Sequence, residues 1–284
     1  MPHIFNIRLL LLFSMLLPLI CFGQRKLNLS LFAGFSNYSG ELQAKRFTIN
    51  QAHAAFGAGL RLQLKPKWHL HGTLRIGKLS GDDKQSKNAF NRARNLNFYS
   101  NLYEAALIAE YSFLDMEQSR WTPYVSAGAA IFRFNPHGEG FRELRQYSTE
   151  GQGFFDGREP YRIITIAVPA GAGIRYRISE TVQLGYEISF RKTFTDYIDD
   201  VSTTYVDADI LRLYRGDNAV EVAFRGDEID RTATYPAGGT LRGSPKTKDW
   251  YYFSGITLSF AITNADGKLF GKKLRNGSID CFKF

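Results

Sequence analysis

Cysteine is nearly missing from this chain of 284 residues, which has only Cys21 and Cys281. Cys21 falls in a leader segment, so the rest of the chain holds one thiol and cannot form an internal disulfide. No cysteine and histidine cluster has the spacing of a zinc site. Beyond the leader, no apolar run reaches the ~18 residues that mark a membrane-spanning helix. EF-hand spacing, with its central glycine and final glutamate, is also lacking. These gaps exclude a disulfide scaffold, a zinc module and a helical membrane protein. What is plentiful points elsewhere. Aromatics make up 14% of residues and glycines number 26, which suits strands and turns with aromatic girdles at membrane interfaces.

The first residues set the compartment. Met1 to Arg8 carries one positive charge and no acid, Leu9 to Ile20 is apolar, and Gly23 precedes Gln24. This is the pattern of a secretory signal peptide, and residues 1–23 are expected to be removed. Cys21 permits a lipoprotein signal with an acylated cysteine, but Ile20 stands where a small residue is wanted, and cleavage after Gly23 is favoured. The net charge of +9 raises nucleic acid as a partner. An exported chain rarely meets it, and the Lys and Arg are dispersed, so the basic balance is assigned to outer-membrane lipids with anionic headgroups.

Period-two patterning recurs eight times in residues 24–263. Its clearest instance sets Val182, Leu184, Tyr186, Ile188 and Phe190 against Gln183, Gly185, Glu187, Ser189 and Arg191. Similar segments run near 27–38, 52–64, 68–79, 99–113, 121–134, 164–177 and 250–262. Successive side chains of a strand face opposite ways, so each strand has one apolar and one polar face. A soluble sandwich and a membrane barrel share that pattern. Loop lengths separate them: connections near 65–67, 114–120 and 179–181 are tight, whereas 39–51, 80–98, 135–160 and 195–249 are long, in strict alternation. Aromatics form two belts. Trp68, Tyr111, Phe113, Trp121, Tyr124, Tyr176 and Phe260 lie near the tight turns, and Tyr99, Tyr103, Phe190, Phe194, Trp250 and Tyr252 near the long loops. The expected fold is all-β: an eight-stranded antiparallel, transmembrane, up-and-down β-barrel of the cell outer membrane. Residues 264–284 form a short basic tail on the periplasmic side.

Polar faces then point inward. They supply Arg61, Arg75, Glu104, Glu110, Arg175, Arg177, Glu187 and Arg191, with His69 and His71. Eight strands leave room only for side chains, so five Arg against three Glu predict a hydrogen-bonded plug rather than a diffusion pore. His69 and His71 share a face compatible with metal, yet hydrated lumen histidines near the periplasmic mouth are the favoured reading, and no metal site is assigned. Glu104 and Glu187 lack a nucleophile beside them. At the rim, His137 near Ser148, and His53, form no recognisable catalytic constellation. No catalytic or cofactor-binding residue is assigned, and the expectation is a non-enzymatic protein. The last long loop is rich in aspartate and reads as a solvated acidic loop, within which Phe194, Asp196, Tyr197, Asp199 and Asp200 mix aromatics with acids like a packed cap or contact surface.

The run Arg191 to Asp207, with Ser36-Asn37-Tyr38-Ser39-Gly40-Glu41-Leu42, Gly77 to Asp83, Arg94 to Phe98, Thr149 to Gly153 and Arg242 to Trp250, resembles the Bacteroidota outer-membrane barrels related to PorG. That resemblance implies a component of the type IX secretion system, associated with a periplasmic ring of a lipoprotein and a soluble protein. It implies no catalytic residues. The expected role is therefore structural or assembly work in protein secretion. A small transporter, a lipid-active barrel enzyme or a surface adhesin is the alternative.

Overall fold

The computed structural model describes residues 26–43, 50–138, 140, 143–155 and 157–263. The expected signal peptide (1–23) and basic tail (264–284) lie outside these residues. Eight long strands follow one another: β1 (Leu27–Ser39), β2 (His53–Lys65), β3 (Trp68–Asp82), β4 (Asn97–Ser112), β5 (Trp121–Arg133), β6 (Ile164–Arg177), β7 (Val182–Thr193) and β8 (Trp250–Ala261). Each pairs antiparallel with the next. β8 then pairs back onto β1, from Asn28–Ala261 to Ser39–Trp250. The sheet closes on itself, so none of the eight strands is an edge strand. No helix among the described residues is long and apolar enough to cross a membrane.

The two faces decide the environment. Leu74 is 67% exposed, Ile166 59% and Phe56 55%, while the neighbouring Arg75 and Ala167 are buried. An apolar outside around a polar inside is unstable in water and favourable in lipid, where closed pairing satisfies every backbone donor. Trp68, Phe113, Trp121 and Tyr176 are exposed at the tight-turn end, and Tyr99, Tyr103 and Trp250 at the other. One girdle residue was misassigned. Tyr124 points into the lumen and is buried, because Thr122, Tyr124 and Ser126 share a face of β5 opposite Trp121 and Val125.

The seam between β1 and β8 is unusually close. Gly34 stands opposite Gly255; a Cβ on Gly255 would lie 2.5 Å from the Ala33 carbonyl oxygen and 2.6 Å from Gly34 Cα. The Phe32 ring covers both glycines from inside, as a bulky neighbour filling what they leave empty.

The tight connections span residues 66–67, 113–120 and 178–181. The long ones, 40–52, 83–96, 134–163 and 194–249, contain short helices: α1 (Ala89–Arg94), α2 (Leu144–Tyr147), α3 (Ala208–Arg215) and α4 (Asp217–Ala223). Asn88 and Asp207 cap α1 and α3 through their side chains, satisfying backbone donors that the helices cannot. β3 and β4 run further than their patterning suggested, pairing up to Asp82 with Asn97. Their ends leave the lipid band and pack under the loops, so Leu79 and Phe98 are buried. A single cluster joins Leu42, Leu96, Leu144, Ile198, Val201 and Val222 to the lumen aromatics Phe32, Phe132 and Phe253. The long loops are thus a folded cap with its own core.

Candidate functional site: plugged lumen and folded cap

Three carboxylates organise the lumen, each at a different height. Nearest the tight turns, Glu110 accepts from Arg175 at 3.0 Å and meets His71 Nδ1 at 3.0 Å, with Arg61 at 3.9 Å. His71 Nε2 contacts the Ser30 hydroxyl at 2.7 Å. Midway, Glu187 takes Arg75 at 2.5 Å and the Tyr124 hydroxyl at 3.4 Å. Towards the long loops, Glu104 receives Arg191 through both Nε and Nη2 at 2.9 Å, and the Tyr251 hydroxyl at 2.7 Å. Arg75 stands directly opposite Glu104 on the neighbouring strand, yet each makes its closest ion pair across the lumen. These pairs join β4 to β6, β3 to β7 and β4 to β7, and so brace the barrel from within. Aromatic faces complete the arginine environments: Arg191 lies 4.6 Å from the Phe253 ring and Arg75 4.4 Å from Phe32, distances typical of cation–π contact.

Seven of the eight expected lumen charges converge in this way. Arg177 does not. It is half-buried at the tight-turn rim, where its backbone N–H bonds to the Arg120 carbonyl, because β6 ends there. The lumen therefore carries four Arg to three Glu rather than five to three. His71 is held by Glu110 and Ser30, which accounts for its place without a metal. His53 contacts the Ser80 hydroxyl at 2.7 Å, and His137 bonds to the Asn135 carbonyl and stacks on Tyr99, while Ser148 receives Arg215. The rim residues are thus engaged with other partners.

The cap is tied together by buried arginines. Arg94 donates to both oxygens of Asp83, at 2.7 and 2.9 Å, and to the Arg242 carbonyl. Arg242 pairs with Glu150 at 3.1 Å and lies 3.7 Å from Asp200. Glu150 also accepts the Ser202 and Thr203 N–H groups at 2.9 Å and the Thr203 hydroxyl at 2.6 Å. Asp200 accepts from Thr149 at 2.5 Å and Tyr161 at 2.8 Å. Burial pushes its carboxyl up to about 6, against the pull of Arg242, Thr149 and Tyr161. The same environment holds Arg242 firmly charged: burial opposes, but Glu150 and Asp200 raise it above its ordinary value.

The solvated acidic loop needs correction. Asp196, Asp199 and Asp200 are all buried, because residues 194–206 fold down onto the barrel mouth instead of looping outward. Tyr197 stacks on Tyr161 at 4.7 Å between centroids, and Phe194 is left exposed. Only the distal part, with Asp207, Asp209, Asp217 and Asp227, is solvated. A second group surrounds the base of the cap. Asp249 accepts the Tyr38 hydroxyl at 2.9 Å and the Ile198 N–H at 2.9 Å, while Tyr38 also donates to Asp199 at 2.6 Å. Glu41 accepts from Ser244 N–H at 3.3 Å and the Thr247 hydroxyl at 3.2 Å. Burial, then repulsion from Asp196, pushes Glu41 up to about 7. Nothing in the sequence signalled this grouping, since Glu41 and Asp249 lie some two hundred positions apart.

Closed strand pairing, an exposed apolar band, two aromatic girdles and a charged interior define an outer-membrane β-barrel, capped at one end and crossed within by Arg–Glu pairs. More narrowly, the chain belongs to the family described as a domain of unknown function, DUF6089, which matches residues 7–220. No curated protein matches it by sequence. Among solved structures it is similar to Neisserial surface protein A, at 10% identity over 82% of this chain and 96% of that one, with a TM-score of 0.42. The attachment invasion locus protein Ail of Yersinia pestis, in complex with sucrose octasulfate, gives 7% identity, 84% and 99% coverage and a TM-score of 0.39. OprG from Pseudomonas aeruginosa gives 9%, 84% and 98%, and 0.38.

Proposed function

We propose that this protein is a non-enzymatic barrel that serves as a structural or assembly component of a protein secretion machinery of the type IX kind, related to PorG. The observation that carries this reading is the cap. Residues 194–206 lie within the stretch that resembles the PorG-related barrels, and they are packed onto the barrel mouth rather than left as a linker. A lumen crossed by three Arg–Glu braces supports a scaffold in preference to a solute channel, because passage would require breaking buried ion pairs at several kcal/mol each. Recognition then resides in loops held by a rigid frame. By the usual orientation of such barrels the tight-turn face is periplasmic. It would meet the periplasmic ring proteins or lipoprotein through exposed residues such as Lys65, Lys67 and Arg120. A clean deletion strain tests this: secreted cargo should accumulate in the periplasm, and normal secretion would refute the role. Co-purification from membranes in mild detergent should recover periplasmic machinery proteins with the wild-type barrel.

A further inference from the structure

Nine acidic residues are buried among the described residues, and six of them face an arginine. Asp83 has Arg94, Glu104 has Arg191, Glu110 has Arg175, Glu187 has Arg75, and Glu150 and Asp200 share Arg242. Asp196, Asp199 and Asp249 have no ion pair with any of the described residues. Two of these three, Asp196 and Asp249, converge with Glu41, so that one carboxylate oxygen of each lies within 4.8 Å of the others. Hydrogen-bond accounting points the same way. Asp196 is 2% exposed, and its Oδ2 accepts the Ser202 hydroxyl at 2.7 Å. Among the described residues its Oδ1 is buried with no hydrogen-bond partner, as is Glu41 Oε2. Lys248, the basic side chain that bears on Asp196, turns its ammonium to the Pro245 carbonyl at 3.2 Å. A buried carboxylate oxygen without donor or counter-charge is costly, and among the described residues no arginine answers this group as one answers each of the other six.

We propose that Glu41, Asp196 and Asp249 form a divalent cation site, and that its ion is Ca²⁺. Three carboxylates with no nitrogen or sulfur ligand make a hard-oxygen set, which suits Ca²⁺ or Mg²⁺ over zinc or copper. Oxygens bound to one Ca²⁺ at 2.3–2.6 Å stand at most about 5 Å apart, so the observed spread needs no large movement. Glu41 also lines a cavity of about 780 Å³ with Gln43, Asn91, Ser244 and Thr247, which offers a hydrated ion its route and further oxygen ligands. Ca²⁺ accepts such an irregular set of ligands, whereas Mg²⁺ demands near-ideal octahedral geometry. The site would pin β1, β8 and the start of the last loop together where the cap meets the barrel.

The test uses the folded, EDTA-treated full chain in detergent, titrated with CaCl₂ by calorimetry and with Tb³⁺ by luminescence sensitised through Tyr38. One saturable site per chain is expected, with Kd at or below about 1 mM, the range of extracellular Ca²⁺ modules. Asp196→Asn should weaken Ca²⁺ at least tenfold, and Asp209→Asn, an exposed acid of the same loop, should change nothing. Removing a buried like charge should not harm folding, and heat-modifiable gel migration verifies the barrel of each variant. Absence of saturable binding, unchanged affinity in Asp196→Asn, or an equal loss in Asp209→Asn would overturn the site. Competition by Mg²⁺ as strong as by Ca²⁺ would overturn the choice of ion.

Discussion

The Arg191–Glu104 pair allows the sharpest test of the plugged lumen. Both side chains are fully buried, and the pair is bidentate with a third donor from Tyr251. Glu104→Gln keeps the shape but removes the charge, leaving Arg191 with the Ser189 carbonyl and the Phe253 ring. Stranding one partner of a buried pair costs about 3–5 kcal/mol, whereas replacing both by apolar groups of similar volume is often neutral or stabilising. Arg191→Met alone should therefore cost about as much as Glu104→Gln, and the double variant Glu104→Leu with Arg191→Met should recover most of the loss. The measurement is urea unfolding in lipid vesicles, followed by tryptophan fluorescence. At a slope of about 1–3 kcal/mol per molar urea, a loss of 3 kcal/mol moves the midpoint down by about 1–3 M. With Glu104→Leu alone as the matching single variant, the double-mutant cycle should then give a coupling of at least ~2 kcal/mol. If Glu104→Gln costs under ~1 kcal/mol with an unchanged slope, the pair is hydrated and the lumen is not a plug. If the double variant loses as much as the two singles combined, the pair is not a brace.

Three further outcomes follow from the same geometry. In planar bilayers the purified protein should show no large stable conductance, and a steady open channel would refute the filled lumen. Arg242→Met strands Glu150 and removes a tie to the Asp200 backbone, at a cost of about 3–5 kcal/mol. Hydrogen exchange should rise in 149–152 and 200–206 while heat-modifiable migration of the barrel stays intact; unchanged exchange would mean that Arg242 does not hold the cap. Asp200 gives a pH signature. Its folded value of about 6 exceeds the ordinary ~3.9 of an unfolded aspartate, so its contribution is fully present below pH ~4 and lost as pH rises through 6. Cap protection should therefore decline across that window in wild type, and less so in Asp200→Asn; parallel pH profiles would show that Asp200 keeps an ordinary value.

The barrel was legible because its strands obey a strict period of two. Where contrast was strong, as from Val182 to Arg191, facing and bounds came out as expected; in β5, alanine and glycine dilute the pattern, and Tyr124 was placed on the wrong face. Arg177 has the parity of a lumen residue, but parity does not say where a strand leaves the membrane. The outer half of the lumen was less visible. Phe32, Phe132 and Phe253 sit on the nominally polar face, since above the braces the interior merges with the apolar core of the cap. Loops have no period, so their burial could not be inferred from spacing. Asp196, Asp199 and Asp200 look like solvent-facing acids in one dimension, and only the fold brings Arg242 and Tyr161 to Asp200.

The two ends of the molecule solve the same electrostatic problem differently. In the lumen, every buried carboxylate is answered by an arginine from a strand that is not its neighbour, so neutralisation and mechanical bracing are one interaction. In the cap, Glu150, Asp200 and Asp83 are likewise answered by arginines, Arg242 and Arg94, and the part they organise is a closed network. The group at Glu41, Asp196 and Asp249 departs from the rule within the same cap and beside a cavity. A general tolerance for buried charge would scatter such exceptions through the barrel, yet every lumen acid among the described residues is paired. The departure is local to the junction of cap and barrel, which makes that junction the place where an outside species can change how firmly the loops are held.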